Sequence, residues 1–326
     1  MQEINVNSLK AWFLAARPKT LTGAAIPVLL AGVLAVRVGA FAQHDLADGA
    51  VPFGSTGLHV ALWVSCLLFA CWMQIAANLI NDLFDYLKGS DRDDRLGPER
   101  ACAQGWITPG AMKTGIAVVL SVACVVGLLA VMHSRHYLPL CGMEYIVMGV
   151  LCVVFAFLYT TRLSYMGWGD ALVLVFFGFV PVCGTYYMQT LNITTSAVLL
   201  SLIAGIAIDA LLMINNYRDC EQDRISGKKT VVVRLGKAFG SRAYLAIGVV
   251  VTLLSVVLVC LLPGFSLGRT SALLCLLLLV YLVLHVRTWQ KMCRIGQGKA
   301  LNIILGETSR NMFLMAICLS IVIIFV

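Results

Sequence analysis

Asn78, Asp82 and Asp85 fall at i, i+4 and i+7, so on a helix one amide and two carboxylates share a face. Asn215, Asp219 and Asp223 repeat the arrangement at i, i+4 and i+8. These are hard oxygen donors. Magnesium takes one or two carboxylates, keeps several waters and completes its shell with substrate phosphate oxygens, so two sparse sets facing each other make a cradle for a metal-bridged diphosphate. Asp91, shortly after the first set, joins the candidate metal ligands, and Asp82, Asp85, Asp219 and Asp223 are the candidate catalytic carboxylates. One such face alone is equally well a solvated helix end. Two matching faces predict two halves of one site.

Cationic side chains follow both sets. Lys88, Arg100 and Lys228 are candidates to hold diphosphate oxygens, Arg bidentately and Lys as a point charge; Arg95, Arg224 and Lys229 stand nearby as charges that also suit a loop. Arg162 is the only basic residue of a short connection and follows Tyr159 by three positions, which adds that pair to the diphosphate set.

The elements that carry these residues are apolar. The first set ends a run that begins near Val60, and the second ends one that begins near Ala197. The chain of 326 residues is 60% hydrophobic and 12% charged, with a mean hydropathy of +0.90, too little polar surface for a water-soluble globule. Nine apolar runs can be marked, near 20–38, 58–84, 111–133, 144–161, 168–190, 195–217, 240–262, 270–289 and 309–326. Helices are expected, because every peptide group in a bilayer needs its hydrogen bond without water and no alternating-strand pattern is present. The fold class expected is therefore all-α, a polytopic bundle of about nine transmembrane helices, with residues 1–326 forming one domain. Pro27, Pro181 and the glycines are compatible with packed membrane helices.

Residues 1–19 form a polar N-terminal segment without a cleavable signal pattern, and Val6 to Ala16 can lie as an amphipathic helix in the interface. With the N-terminus in the cytoplasm, only Arg37, Arg135 and Arg269 of the 24 Lys and Arg fall outside. That asymmetry places both carboxylate sets on the cytoplasmic side and assigns the net charge of +8 to orientation and anionic lipid, with no nucleic-acid partner. Most of the 12 cysteines lie in apolar runs as small core residues, and Cys102, Cys220 and Cys293 are expected in basic cytoplasmic loops. No Cys/His group has zinc spacing.

A metal-held diphosphate opening into an apolar bundle suits a polyprenyl diphosphate, its head wet and its tail lipid-facing. Cations would stabilise the leaving diphosphate, a dry pocket would protect the allylic carbocation, and an electron-rich phenol ring would be the simplest acceptor.

With those motifs in place, the sequence resembles the UbiA superfamily of intramembrane aromatic prenyltransferases, and within it the branch that uses 1,4-dihydroxy-2-naphthoate. The likeness runs from about Arg17 onward and rests on the two Asn/Asp sets, Ala16 to Leu21, Asp85-x-x-Lys88 through Asp91, Gly97 to Arg100, Gly184 to Tyr187 and Arg218 to Thr230. The resemblance implies that both sets bind Mg²⁺ and diphosphate, that Tyr159 and Arg162 contact diphosphate, and that Arg17 or Lys19 holds the acceptor carboxylate. Hydroxybenzoate-using relatives tend to carry a third aspartate at the position of Gly89; Asp91 here matches the naphthoate users instead. The implied reaction joins the prenyl group to the carboxylate-bearing ring carbon, with loss of diphosphate and CO₂, to give demethylmenaquinone in menaquinone synthesis. The implied location is a bacterial cytoplasmic (inner) membrane. Rival readings are another aromatic acceptor, such as 4-hydroxybenzoate or homogentisate, or a cation-coupled transporter with its carboxylates at a repeat interface.

Overall fold

A computed structural model describes residues 4–40, 56–89, 95–266 and 268–326. Among these the architecture is helical, with nine helical segments long and apolar enough to cross a membrane. A short helix α1 (Leu9–Ala16) precedes α2 (Leu21–Arg37), α3 (Thr56–Leu87), α4 (Pro109–Ser134), α5 (Met143–Met166), α6 (Gly169–Thr190) and α7 (Thr195–Ile225). A one-turn helix α8 (Val231–Leu235) leads to α9 (Lys237–Cys260), α10 (Arg269–Ile295) and α11 (Asn302–Phe325). The helix starts follow local chemistry. The hydroxyls of Ser8, Thr108, Thr194 and Thr230 each accept from the backbone N–H three residues on, at 3.3 Å, satisfying a donor that the first turn leaves orphaned.

The expected apolar runs locate every spanning helix but underestimate several. At 1.5 Å per residue, the 32 residues of α3 and the 31 of α7 are longer than the ~30 Å hydrocarbon core requires. Each continues into its polar motif, because helical hydrogen bonding persists where hydropathy falls. For the same reason Cys220 and Cys293, expected in loops, lie within α7 and α10; of the three, Cys102 alone is in a connection, and it is buried.

Two main hydrophobic cores result. One joins α2 with α6, α7 and the helices that follow; the other joins α1, α3 and α4 with the connection after the first motif. Helix α7 is the central element of the larger core, and small residues let its neighbours approach it. A Cβ on Gly178 of α6 would lie 2.5 Å from the Ser201 carbonyl oxygen, and one on Gly205 would lie 2.7 Å from Leu174 Cδ1. We predict that Gly178→Ala, which must push the α6 and α7 backbones apart, destabilises the protein by about 1–3 kcal/mol. Thermal unfolding in detergent should fall by several degrees, whereas Gly306→Ala, with open space around it, should not lower it. Equal melting of the two variants would contradict the close crossing.

Candidate active site

The ends of α3 and α7 lie at the same end of the bundle, tied together by the connection from Arg95 to Thr108. Asp82, 1% exposed, accepts the backbone N–H groups of Ala101 and Cys102 at 2.8 and 2.9 Å, one on each oxygen. Asp85 pairs with Arg100 at 2.6 Å. The other end of the connection reaches the second motif: Asn302 donates to the Leu96 carbonyl at 2.8 Å and accepts from Arg218 at 2.7 Å. Arg218 in turn grips both oxygens of Asp219 at 2.6 Å, and a Cβ on Gly97 would come within 3.0 Å of its Nη2. Asp223 faces Lys228 at 3.8 Å.

Asn78 donates to the Ala16 carbonyl and to Thr20 Oγ1, both at 2.9 Å, and accepts from Gln74 at 3.2 Å. This fixes α3 against the junction of α1 and α2. Asn215 donates to Leu211 O at 2.8 Å. Asn78 and Asn215, one from each motif, line the same cavity of about 600 Å³, a size suited to a small organic ligand. Its polar end also carries Thr20, Gln74, Asn81 and Tyr159, and its walls are apolar side chains such as Phe69, Met73, Phe155 and Phe176. On α3 the lining runs from Ser65 to Asn81, about 24 Å of helix axis. The pocket thus reaches deep between the two cores.

The remaining expected residues divide. Tyr159 is on the cavity wall, within electrostatic reach of Asp170 and Asp209 first and of Asp85 and Asp223 less, at the start of a π-helical stretch (Tyr159–Leu163) that breaks the regular turn of α5. Arg162, in the same stretch, is exposed. Lys88 donates to the carbonyls of Thr160 and Thr161 at 3.2 and 2.9 Å. Arg17 adopts a left-handed backbone (φ 52°), which non-glycine residues seldom occupy. Its Nη2 is buried with no hydrogen-bond partner among the described residues, and the guanidinium is within electrostatic reach of Arg100 and Arg95 as well as of Asp82 and Asp85. Lys19 is exposed. Asp91 lies outside the described residues.

Sequence reasoning missed Thr20, Gln74, Asn81, Arg218 and Tyr165. Asn81 and Arg218 each stand one residue before a motif aspartate, and that adjacency was a usable signal. Tyr165 had none: the Lys88 and Lys228 ammoniums lie 4.3 and 5.2 Å from the centre of its ring, contacts made across long sequence separations.

The donor set fits magnesium rather than a softer ion, since carboxylate and amide oxygens are its ligands. Among the described residues no three His, Cys, Asp or Glu side chains converge tightly enough to cage an ion. An ion there would complete its shell with water and substrate oxygens, as magnesium prefers. Asp85 and Asp223, held by single cationic contacts, keep lone pairs for it. Asp82 is instead committed to two backbone amides, a task its sequence position did not reveal.

Among the described residues, nine long apolar helical segments around a deep apolar cavity, with a polar end at Asn78, Asn81 and Asn215, define an integral, multi-pass membrane protein. The chain belongs to the UbiA prenyltransferase family, whose match covers residues 40–304. It is 38% identical to the 1,4-dihydroxy-2-naphthoate octaprenyltransferase of Haemophilus influenzae over 256 residues, 77% of this chain and 76% of that protein. The Escherichia coli protein of the same description is 34% identical over 74% of each chain. The fold matches that of a UbiA homolog from Archaeoglobus fulgidus, solved bound to DMAPP and Mg²⁺, with a TM-score of 0.60, 12% identity, and 97% and 99% of the two chains covered.

Proposed function

We propose that this protein transfers a polyprenyl group from polyprenyl diphosphate to 1,4-dihydroxy-2-naphthoate, with release of diphosphate and CO₂, yielding demethylmenaquinone. The observation that carries the reading is that Asn78 and Asn215, from two helices far apart in sequence, line one apolar cavity beneath both carboxylate sets. Relatives named for this reaction, matched over about three quarters of their length, support the choice of acceptor.

In this reading Asp85, Asp219 and Asp223, with Asn78 and Asn215 beside them, would hold Mg²⁺, which when bound neutralises charge on the leaving diphosphate, while Asp82 anchors the connection beside them and Asp91 is a candidate ligand by sequence alone. Lys88, Arg100, Lys228, Tyr159 and Arg162 orient the diphosphate so that its bridging oxygen points into the cavity. Phe155 and Phe176, 5.1 Å apart on the wall, exclude water from the allylic carbon. Arg17 receives the acceptor carboxylate: its buried Nη2, without a partner among the described residues, favours it over exposed Lys19. The excess of Lys and Arg at this end supports a cytoplasm-facing site in a bacterial inner membrane.

The test supplies purified protein with 1,4-dihydroxy-2-naphthoate, a labelled polyprenyl diphosphate and Mg²⁺. Prenylated naphthoquinone should form, and excess EDTA should suppress it by at least ~100-fold, restored on adding Mg²⁺. Product from 4-hydroxybenzoate or homogentisate alone would overturn the acceptor. Turnover indifferent to EDTA would overturn the metal.

A further inference from the structure

We propose that Tyr165 is a positioning residue for prenyl transfer: its ring holds Lys88 and Lys228, one lysine from each half of the site, ready to close on one diphosphate. This rests on the function proposed above. Lys88 ends the first motif and Lys228 follows the second, yet their ammoniums lie 4.3 and 5.2 Å from the centre of the same ring. Cation–π attraction is directional enough to hold a flexible lysine in place. Each lysine is tethered further: Lys88 by hydrogen bonds to the Thr160 and Thr161 carbonyls, Lys228 by Asp223 at 3.8 Å. Two like charges gathered on one neutral ring repel each other, and an anion with several oxygens between them removes that cost.

The ring is itself held by backbone contacts. The Tyr165 carbonyl accepts the Lys229 N–H at 2.9 Å, and the next carbonyl, that of Met166, accepts from Arg234 at 2.8 Å. Gly167, in the left-handed region (φ 85°), lets the turn approach so closely that a Cβ there would lie 2.4 Å from the Lys229 carbonyl oxygen. The turn after α5 is thereby locked onto the segment after α7, which carries Lys228. Tyr165 thus joins the two half-sites by a rigid backbone and positions their lysines by its ring.

Binding of inorganic pyrophosphate with Mg²⁺, titrated calorimetrically on the detergent-solubilised protein, reads this without any acceptor. Tyr165→Met, which keeps bulk but removes the ring, should weaken pyrophosphate by about 5- to 30-fold, the loss of two exposed cation–π contacts. The KM for polyprenyl diphosphate should rise by a similar factor, with the KM for naphthoate and the melting temperature unchanged. Tyr165→Phe should bind and turn over as the wild type does. Lys228→Met should weaken pyrophosphate less in the Tyr165→Met background than alone. Wild-type pyrophosphate affinity in Tyr165→Met overturns the proposal while leaving transfer intact; so does a Tyr165→Phe as impaired as Tyr165→Met. A uniform loss for both substrates with a lowered melting temperature assigns Tyr165 a purely structural role and overturns it too. Absence of prenyl transfer in the wild type, with the pyrophosphate pattern as expected, overturns the function and not the positioning role.

Discussion

Asp223→Asn should lower prenyl transfer by ~100-fold or more while leaving the melting temperature of the solubilised protein within a degree or so of wild type. The expectation follows from how this carboxylate is held. It is buried but faces Lys228 only at 3.8 Å, beyond a good hydrogen bond, so exchange for an isosteric amide, which also lifts the cost of burying a charge, breaks little that folds the chain. What the exchange removes is formal charge. An amide oxygen is a weak magnesium ligand, and charge neutralisation on a departing diphosphate is the largest electrostatic demand of the proposed reaction. Rates with saturating substrates, measured beside melting curves, decide it. An Asp223→Asn enzyme that turns over normally would remove the second carboxylate set from the chemistry.

Asp82→Asn should behave in the opposite sense, lowering the melting temperature by several degrees. Both carboxylate oxygens of this 1% exposed side chain accept backbone N–H groups. An amide offers one acceptor and turns an N–H₂ toward the other buried donor. Leaving that donor unsatisfied costs about 1–3 kcal/mol, and the repulsion between facing donors adds to it. The connection it anchors also carries Arg100 to Asp85 and reaches Asn302 and Arg218 of the second half-site. Loosening it should therefore disturb both. Limited proteolysis between Arg95 and Thr108 should accelerate in the same variant. Melting and cleavage indistinguishable from wild type would show that the anchor is dispensable, and would return Asp82 to the same footing as Asp223.

The contrast between these aspartates shows where reading the chain residue by residue stopped. Spacing placed Asp82, at i+4 of the first motif, and Asp223, at i+8 of the second, on donor faces of the same kind, and nothing local reveals that their tasks differ. The backbone amides of Ala101 and Cys102 do, and they come from a turn whose approach depends on Gly97, Asn302 and Arg218 together. Lys19 and Arg17 differ in the same way: adjacent to one proline, equally basic, one is exposed and the other has a buried guanidinium nitrogen with no partner among the described residues.

The sequence by itself determined the solvent, the secondary structure and the two chemical clusters. Long apolar runs leave a chain no alternative in a bilayer but helices, and i, i+4 spacing then places Asn and Asp on one face regardless of the neighbours. Hydropathy misjudged helix ends because it measures preference for lipid, whereas backbone hydrogen bonds carry α3 and α7 onward into polar residues. Only the tertiary structure decided that Asn78 and Asn215, one from each cluster, line one cavity, that Asp82 serves a loop, and that a single tyrosine gathers lysines from both halves. Those are contacts between residues distant along the chain, set by which helices pack together, and no local pattern encodes a partner that arrives from elsewhere.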